Sequence, residues 1–273
     1  MAQNPLQQYF RQPKIFIDLP SRGAYHADGT LLGEVTNMPV YGMTGMDEII
    51  VKTPDALMTG ESVVKVIESC CPTVKDAWSL SVLDTDLIFA AIRIATYGNQ
   101  LGMSNTCTEC GAESDYDADL NKVVEHYSNC KYDNRVVVGD LVINLHPLTY
   151  KQSTEFNMKN FAFQQQLRQV EPMEETPERQ AIINKLWNDL AESQNLLFTT
   201  TIHSVETEST IVTERGHIEE WIKNCDRSII DAVKEQIEKN RRVWDMPTYP
   251  VKCNSCGHEV NLMVDLDQSN FFV

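Results

Sequence analysis

The feature that most constrains this chain is a fourteen-residue motif that occurs twice, in two distant parts of the sequence. The first copy runs from Cys107 to Leu120, and the second runs from Cys253 to Leu266. Both copies obey C-x-x-C-G-x-E-x5-D-L, so the agreement extends well beyond the cysteines. More than 140 residues separate the two cysteine pairs. A fold that brings the copies together must therefore close a long insertion.

Paired C-x-x-C-G knuckles of this kind are typical of structural zinc sites. In each knuckle, the glycine lets the backbone turn so that two thiolates point at one ion. Two knuckles supply the four tetrahedral ligands of a structural Zn²⁺, and four thiolates leave no open position for catalysis. The predicted ligands are Cys107, Cys110, Cys253 and Cys256. Metal binding would then clamp both ends of the insertion and contribute to folding.

Other interpretations of the cysteines and histidines are open. A single C-x-x-C pair can be a redox motif, but such a motif usually begins a helix in a βαβ unit, and neither copy has that context. His258 lies inside the second knuckle and could replace one cysteine as a ligand. The other histidines show no H-x-x-x-H spacing, and no role is assigned to them. The remaining cysteines are predicted to be buried, inert thiols; they are Cys70, Cys71, Cys130 and Cys225.

The charge balance argues against a protein that binds nucleic acid. The 273 residues include 23 Lys and Arg against 39 Asp and Glu, which gives a formal net charge of −16. Binding to phosphates needs a basic surface, and the densest basic stretch is only Lys239, Arg241 and Arg242. No nucleic acid is therefore expected as a partner. A zinc-ribbon nucleic-acid-binding or transcription factor is kept as the alternative function.

Apolar runs and the N-terminal residues bear on the location of the protein. No run of 18 apolar residues occurs, so no membrane-spanning helix is predicted. Residues 1–13 are polar and rich in Gln, and they lack the apolar stretch of a secretory signal. We therefore expect the protein in the cytoplasm where it is made, with its cysteines reduced or metal-bound rather than in disulfides.

Hydrophobic spacing predicts an α+β fold that is rich in helices. Short apolar stretches at residues 15–17 and 35–41 lie among Gly, Pro and turn residues, which indicates short N-terminal strands. Two helices follow, whose apolar residues repeat at i, i+3, i+4 and i+7 and should face the core. These stripes are Val63, Val66, Ile67 and Cys70, ended by Pro72, and Ile88, Ala91, Ile92 and Ala95, ended by Gly98.

The second half of the chain is predicted to be a hairpin and then mainly helical. Residues 136–138 and 141–145 flank a two-residue turn, as in a β-hairpin. After Pro147 the helical pattern lasts for about a hundred residues, with an exposed link at residues 164–178. Thr176 and Pro177 predict a helix start. The predicted stripes are Ile183, Leu186, Trp187 and Leu190, then Ile230, Val233 and Ile237; alternating Val260, Leu262, Val264 and Leu266 predict a final strand.

These elements divide the chain into four regions. Residues 1–60 form an N-terminal strand and loop region, and residues 61–100 form a helical pair. Residues 101–148 and 246–273 together form the zinc-ribbon and hairpin region, whose two knuckles flank the helical insertion of residues 149–245.

Motifs of common enzyme classes do not occur in the sequence. There is no G-x-x-x-x-G-K-[ST], G-x-G-x-x-G, H-E-x-x-H or G-x-S-x-G. Adjacent acidic pairs such as Glu174 and Glu175 fit solvated surfaces. The chain is therefore predicted not to be an enzyme, and no catalytic or cofactor-binding residue is assigned.

Several segments together resemble the base-plate protein family of T4-like contractile-tailed bacteriophages. The resemblance spans nearly the whole chain and is least specific at about residues 150–245. Besides the two knuckles, it rests on residues 16–25 (FIDLPSRGAY), 43–48 (MTGMDE), 55–60 (DALMTG), 83–87 (LDTDL), 93–98 (RIATYG) and 270–272 (NFF).

This resemblance implies a non-enzymatic baseplate hub subunit or hub assembly chaperone. Its implied partners are other hub and tail proteins of the phage, and its implied locations are the host cytoplasm during assembly and the virion tail baseplate. No catalytic residue is carried over from the family.

Two segments are candidates for contacts with a partner. In residues 19–23, Arg22 could anchor a partner, because Arg is enriched in interface hot spots. Alternatively, Pro20 and Gly23 only shape a turn in which Arg22 pairs with a local carboxylate. The apolar end, Phe271 to Val273, is expected to dock on the protein's own core or on a partner.

Overall fold

The computed structural model describes residues 4–52, 59–246 and 248–264 of the chain. It confirms the predicted α+β fold. The described helices are α1 (Gly45–Val51), α2 (Glu61–Cys70), α3 (Val82–Tyr97), α4 (Leu120–Asn129), α5 (Tyr150–Val170), α6 (Pro177–Thr201), α7 (Arg215–Asn224) and α8 (Arg227–Trp244). The described strands are β1 (Pro13–Ile17), β2 (Met38–Tyr41), β3 (Gln100–Thr106), β4 (Glu113–Asp119), β5 (Arg135–Val138), β6 (Leu141–Leu145), β7 (Ile202–Glu206), β8 (Ile211–Val212), β9 (Thr248–Lys252) and β10 (Glu259–Met263). In the part of the chain that these ranges cover, no helix has both the length and the apolar character needed to span a bilayer.

The chain forms two compact units, and the second is an insertion within the first. The first unit comprises Met1–Lys131 and Val243–Val273, and the second comprises Tyr132–Arg242. In each unit, hydrogen bonds join residues that lie next to the two boundaries between the units. In the first unit, the Cys130 thiol donates to the Val243 carbonyl at 3.2 Å. In the second, the Asn240 side chain accepts from the Asp133 amide at 3.1 Å and donates to the Asp133 carbonyl at 2.8 Å.

A β-hairpin packs against α3 in the N-terminal part of the first unit. β1 and β2 pair antiparallel, which confirms the predicted N-terminal strands. β2 begins only at Met38, because Asn37 adopts a left-handed conformation with φ of 55°. A Cβ at Gly42 would lie 2.8 Å from the Ala95 carbonyl oxygen, so glycine is needed where the hairpin approaches α3.

Helices α2 and α3 form where the spacing predicts them. α2 ends at Cys70, two residues before Pro72. α3 begins after Ser81, whose hydroxyl accepts a hydrogen bond from the Leu83 amide at 3.2 Å, and it ends at Gly98. All eight predicted stripe residues of the two helices are buried. The stripes therefore belong to the core and not to a binding surface.

A buried polar cluster joins the start of α3 to the loop after β1. The Asp84 side chain has no exposed surface, and its Oδ2 lies 2.8 Å from Nε2 of His26. Asp84 Oδ1 accepts the backbone amide of Ser21 at 3.0 Å, and Ser21 Oγ lies 3.1 Å from the same His26 nitrogen. These hydrogen bonds replace the water that a buried carboxylate loses. The cluster thereby holds the loop against α3.

Two further hairpins of the first unit carry the cysteine motifs. β3 pairs with β4, and β9 pairs with β10, each as a separate antiparallel two-stranded sheet. β10 confirms the strand predicted after the second knuckle; Leu266 lies outside the described residues, as do residues 55–58 and the apolar end at residues 271–273. Helix α4 was not predicted from the sequence, although its buried residues Leu120, Val123 and Tyr127 follow helical spacing.

The second unit is built on an antiparallel sheet of order β5-β6-β7-β8. β5 and β6 confirm the predicted hairpin, with Gly139 at φ of 58° in its turn. α8 confirms the later helix, and Arg241 and Arg242 lie in its last turn, where they suit the helix dipole. The core of this unit combines the sheet with α7 and α8, and consists of Val136, Ile143, Leu145, Ile202, Val205, Ile218 and Val233.

The prediction of about a hundred helical residues after Pro147 is wrong in the middle of that range. β7 and β8 interrupt the helices, and β7 pairs with β6 along its length. Ile202 and Ser204 are buried while His203 is exposed, so side chains alternate at the start of β7, and Val205 next to Ser204 is also buried. One edge of β6 pairs with β5, and the other edge presents backbone N–H and C=O groups that need hydrogen-bond partners. A neighbouring strand can supply these partners, whereas a helix cannot.

Helices α5 and α6 form a hairpin that differs in part from the prediction. Thr176 caps α6 and Pro177 is its first residue, as predicted. The exposed link predicted at residues 164–178 is wrong at both ends, because the segment that connects α5 to α6 comprises only residues 171–176. The predicted stripe of α6 is also only partly buried, since Leu186 is buried but Trp187 is 52% exposed. A pair of helices buries a narrow seam, which cannot cover a wide apolar face.

We expect Asp84→Ala to destabilise the protein strongly. The change leaves the His26 ring and the Ser21 amide buried without their partner, which costs about 3–5 kcal/mol. Urea denaturation followed by circular dichroism measures the loss. Asp28→Ala, at an exposed position of the same loop, is the control and should change stability by less than about 0.5 kcal/mol. Equal stability of the two variants would contradict the role of the cluster.

Candidate metal centre

The two cysteine motifs adopt the same backbone turn. In each, the amide of the first cysteine donates to the carbonyl five residues later, and the glycine amide donates back to the carbonyl of that cysteine. These distances are 2.9 and 2.9 Å in the motif of Cys107, and 2.8 and 2.9 Å in the motif of Cys253. Gly111 and Gly257 have φ of 70° and 73°, a conformation that strongly favours glycine. The shared sequence therefore encodes a shared turn.

The strands beside the knuckles hold the two hairpins together. The glutamate of the motif is the first residue of each following strand, Glu113 in β4 and Glu259 in β10. Glu259 Oε1 lies 3.6 Å from Lys252 Nζ across the β9–β10 pair. The Tyr116 hydroxyl of β4 donates to the Lys252 carbonyl of β9 at 3.3 Å. This last hydrogen bond links one hairpin directly to the other.

The sulfur atoms of the four predicted ligands converge. Cys107 Sγ lies 3.7 Å from Cys256 Sγ, and Cys110 Sγ lies 3.7 Å from Cys253 Sγ. All four sulfurs lie within 4.8 Å of one another. These separations exceed the S–S bond of a disulfide, about 2.05 Å. A tetrahedron with Zn–S distances of about 2.3 Å has sulfur–sulfur edges of about 3.8 Å, so the donor set fits one tetrahedral Zn²⁺.

Backbone amides near Cys253 favour the thiolate form of that residue, which is the form that binds metals. Cys107 and Cys253 are each 3% exposed, whereas Cys110 and Cys256 are exposed. Hydrogen bonds from the backbone amides of Cys256 and Ser255 lower the pKa of the Cys253 thiol to about 6. Each knuckle thus combines a buried sulfur with one at the surface.

The other interpretations of the motif find less support in the geometry. Within residues 4–52, 59–246 and 248–264, the converging group of metal-binding side chains consists of these four cysteines, without His258. The His258 side chain is exposed, and its carbonyl serves the turn. Each knuckle is followed by a strand, whereas a redox C-x-x-C begins a helix.

The remaining cysteines lie apart from this group. Cys70, Cys71 and Cys130 are buried, as predicted, whereas Cys225 is half-buried. Burial raises the pKa of Cys70 to about 12 and also raises the pKa of Cys71 and Cys130. These three thiols are therefore protonated and unreactive at neutral pH.

The buried cluster at the start of α3 has the residue types of a hydrolase triad but not its geometry. In a triad, the serine and the aspartate bind different nitrogens of the histidine. Here Ser21 and Asp84 both lie next to Nε2 of His26. Ser21 is only 7% exposed and Asp84 is fully buried, which leaves little room for a substrate beside them. This cluster was not predicted from the sequence, although Asp84 lies in line with the apolar stripe of α3, where a charge needs a buried partner.

The two hairpins, their knuckles and the helices before them lie within a stretch that matches a known protein family. The family model described as T4 bacteriophage base plate protein matches residues 43–273, which is well over half of the chain. The chain belongs to this base plate protein family. No curated protein and no solved structure matches it.

Membership of the family confirms the resemblance seen in the sequence. This base plate protein has a structural role in the phage baseplate, among other baseplate proteins of the virion tail. The match begins at Met43, so the loop with Ser21 and Arg22 lies before the matched residues.

We expect Gly257→Ala to destabilise the second knuckle by about 1 kcal/mol, because a Cβ is strained at φ of 73°. Thermal unfolding of the full chain measures this effect. The matched control is Gly45→Ala at the exposed first residue of α1, where no neighbouring atom lies within 4 Å of the added Cβ. The control should be neutral or slightly stabilising, since Ala favours a helix. A Gly257→Ala protein as stable as the wild type would contradict the inferred strain.

Proposed function

We propose that this base plate protein is a non-enzymatic subunit or assembly chaperone of the baseplate hub, and that it holds one structural Zn²⁺. The observation that carries this proposal is the family match over residues 43–273. The chemistry of the molecule supports it, because the convergent group of metal-binding side chains within the described ranges is a closed set of four cysteines. Four thiolates would hold Zn²⁺ without an open position for a substrate.

The zinc proposal rests on the donor set and its surroundings. Sulfur separations of 3.7 Å, matching turns and amide hydrogen bonds to Cys253 are the features that a tetrahedral zinc site requires. The Zn²⁺ would neutralise thiolates that otherwise repel one another, and it would join hairpins from two distant parts of the chain. Its role would be to stabilise the fold.

We expect the purified full chain to contain about one zinc per molecule. Cys253→Ser removes one ligand and should reduce the zinc content to below about 0.2 per chain, with a fall in Tm of about 10 °C or more. Elemental analysis and thermal unfolding measure the two effects. Cys225→Ser, a cysteine outside the site, is the control and should keep its zinc.

The zinc proposal fails if the wild-type protein contains no zinc and all eight thiols react with a thiol reagent in the folded state. It also fails if Cys253→Ser and Cys225→Ser have the same zinc content and Tm. Neither outcome would affect the proposed role in the hub, because that role rests on the family match.

Partner binding is proposed to use the loop at residues 19–25, which we name the Arg22 loop. The turn forms, since the Arg22 amide donates to the Leu19 carbonyl at 2.9 Å. Arg22 is exposed, has φ of 51°, and makes no ion pair with any described carboxylate. The local ion pair of the alternative interpretation is therefore absent among residues 4–52, 59–246 and 248–264. The buried cluster of Ser21, His26 and Asp84 holds the loop, so that Arg22 is presented to a partner with little loss of entropy.

We expect the tagged full chain, recovered from phage-infected cells, to carry other baseplate hub proteins with it, as identified by mass spectrometry. Arg22→Ala should lower their recovery about tenfold, because a hot-spot Arg contributes more than about 1.4 kcal/mol to binding. The control is Lys65→Ala, an exposed cation on α2, which should recover the same proteins as the wild type.

Two outcomes of this experiment would contradict the proposal. Recovery of nucleic acid in place of tail proteins would favour the transcription-factor alternative over the hub. Equal recovery by the Arg22→Ala and Lys65→Ala proteins would exclude the Arg22 loop as the contact. Mass spectrometry of finished particles and of assembly intermediates then separates a subunit, which occurs in both, from a chaperone, which occurs only in the intermediates.

A further inference from the structure

The α5–α6 hairpin of the second unit leaves much apolar surface exposed. α5 has 21 residues and α6 has 25 residues, and the hairpin contributes Phe198 to the neighbouring core of the sheet. Helices in proteins depend on burial of their apolar faces, so surface of this extent indicates a missing neighbour. The apolar side chains in these helices that are 42–52% exposed are Met158, Phe161, Ile182, Trp187 and Leu196.

A groove of about 390 Å³ runs between the two helices. Its apolar part includes the buried Phe163 and Leu186 and also Leu196, which is 52% exposed. Its charged part consists of Lys159 on α5 and of Asp189 and Glu192 on α6, all of which are exposed. The groove therefore offers an occupant an apolar contact with a cation on one side and anions on the other.

The spacing of residues along α6 favours another helix as this occupant. Ile182, Asp189 and Leu196 are seven residues apart and lie on one line of the helix, and Asp189 and Leu196 line the groove. Residues repeated every seven positions form the seam between packed helices. A single polar residue in such a seam selects one register and one partner. Asp189 is the polar residue in the line of Ile182, Asp189 and Leu196.

The charges of the two helices favour a second copy of the same chain. α5 contains Lys151, Lys159 and Arg168 against Glu155, a net charge of +2. α6 contains Arg179 and Lys185 against Glu178, Asp189 and Glu192, a net charge of −1. A two-fold axis places α5 of each copy against α6 of the other, so every favourable charge contact occurs twice. In that arrangement Lys159 meets Asp189 and Glu192 of the other copy.

We propose that two copies of this protein associate through the α5–α6 hairpins and form a four-helix bundle around a two-fold axis. A helix of 25 residues is about 37 Å long and a pair of helices is about 20 Å wide, so each hairpin can cover roughly 600 Å² of the other. Two such faces reach about 1,200 Å², the lower limit for a stable interface. The bundle also buries the apolar line of α6, as four-helix bundles do.

Sedimentation velocity of the purified full chain tests the dimer. At tens of micromolar, the wild type should sediment at twice the chain mass of 31.0 kDa. Lys159→Glu places an anion against Asp189 and Glu192 of the other copy, at both symmetry-related contacts of the dimer. This change should weaken the dimer about a hundredfold, since like charges in an interface cost several kcal/mol. Asp189→Lys with Glu192→Lys places cations against Lys159 and should have the same effect.

An equimolar mixture of the two variants is the decisive measurement. In a mixed dimer, Glu at position 159 of one copy meets Lys at positions 189 and 192 of the other, and the second pair of faces keeps the native charges. The mixture should therefore form dimers although each variant alone is a monomer. Arg168→Glu is the control, because residue 168 lies about 180° around α5 from Lys159, and this variant should stay dimeric. Circular dichroism confirms that each variant is folded.

A monomeric wild type at this concentration overturns the proposal, as does any stoichiometry other than two. A mixture that stays monomeric would show that the charges do not meet across a two-fold axis, and dimers of Lys159→Glu alone would place the interface elsewhere. A folded wild-type monomer that binds another baseplate protein, with that binding lost in Lys159→Glu, would assign the groove to that protein instead of a second copy.

Discussion

The convergence of four cysteine sulfurs is the constraint on which the first unit depends. The two hairpins that carry them come from positions more than 140 residues apart, and each hairpin by itself is a two-stranded sheet. A two-stranded hairpin is marginally stable in water, so β3–β4 and β9–β10 need each other. The hydrogen bond of Tyr116 is one link between the two hairpins. A Zn²⁺ bound by the sulfurs, which lie 3.7 Å apart in pairs, would be a second and stronger link.

Local patterns in the sequence predicted those parts of the fold that local chemistry determines. The stripe from Val63 to Cys70 has its stop signal nearby, and the Thr176–Pro177 helix start needs no distant partner. The repeated motif likewise predicted the four cysteines that converge, because the same turn geometry recurs wherever Gly follows the knuckle. Of the strands on either side of the knuckles, β10 was predicted from its alternating residues, whereas β3, β4 and β9 were not predicted.

The parts that sequence analysis missed depend on distant contacts. β7 is a strand because β6 has an edge to satisfy, and nothing within residues 202–206 reveals that edge. Trp187 is exposed because the hairpin buries only one seam, and the width of that seam depends on what α6 packs against. The burial of Asp84 was not predicted, since its bonds to His26 and Ser21 cross about 60 residues. In each case the decisive partner lies in another element.

The ends of the insertion have a consequence for how such a protein can diversify. Cys130 with Val243, and Asp133 with Asn240, bring the entering and leaving segments of the chain side by side. An inserted unit whose ends are already adjacent imposes no extra span on its host, so it can change length or content without pulling the cysteine hairpins apart. The ribbon and the inserted unit can therefore evolve as separate modules, one keeping the framework constant while the other adapts to new neighbours.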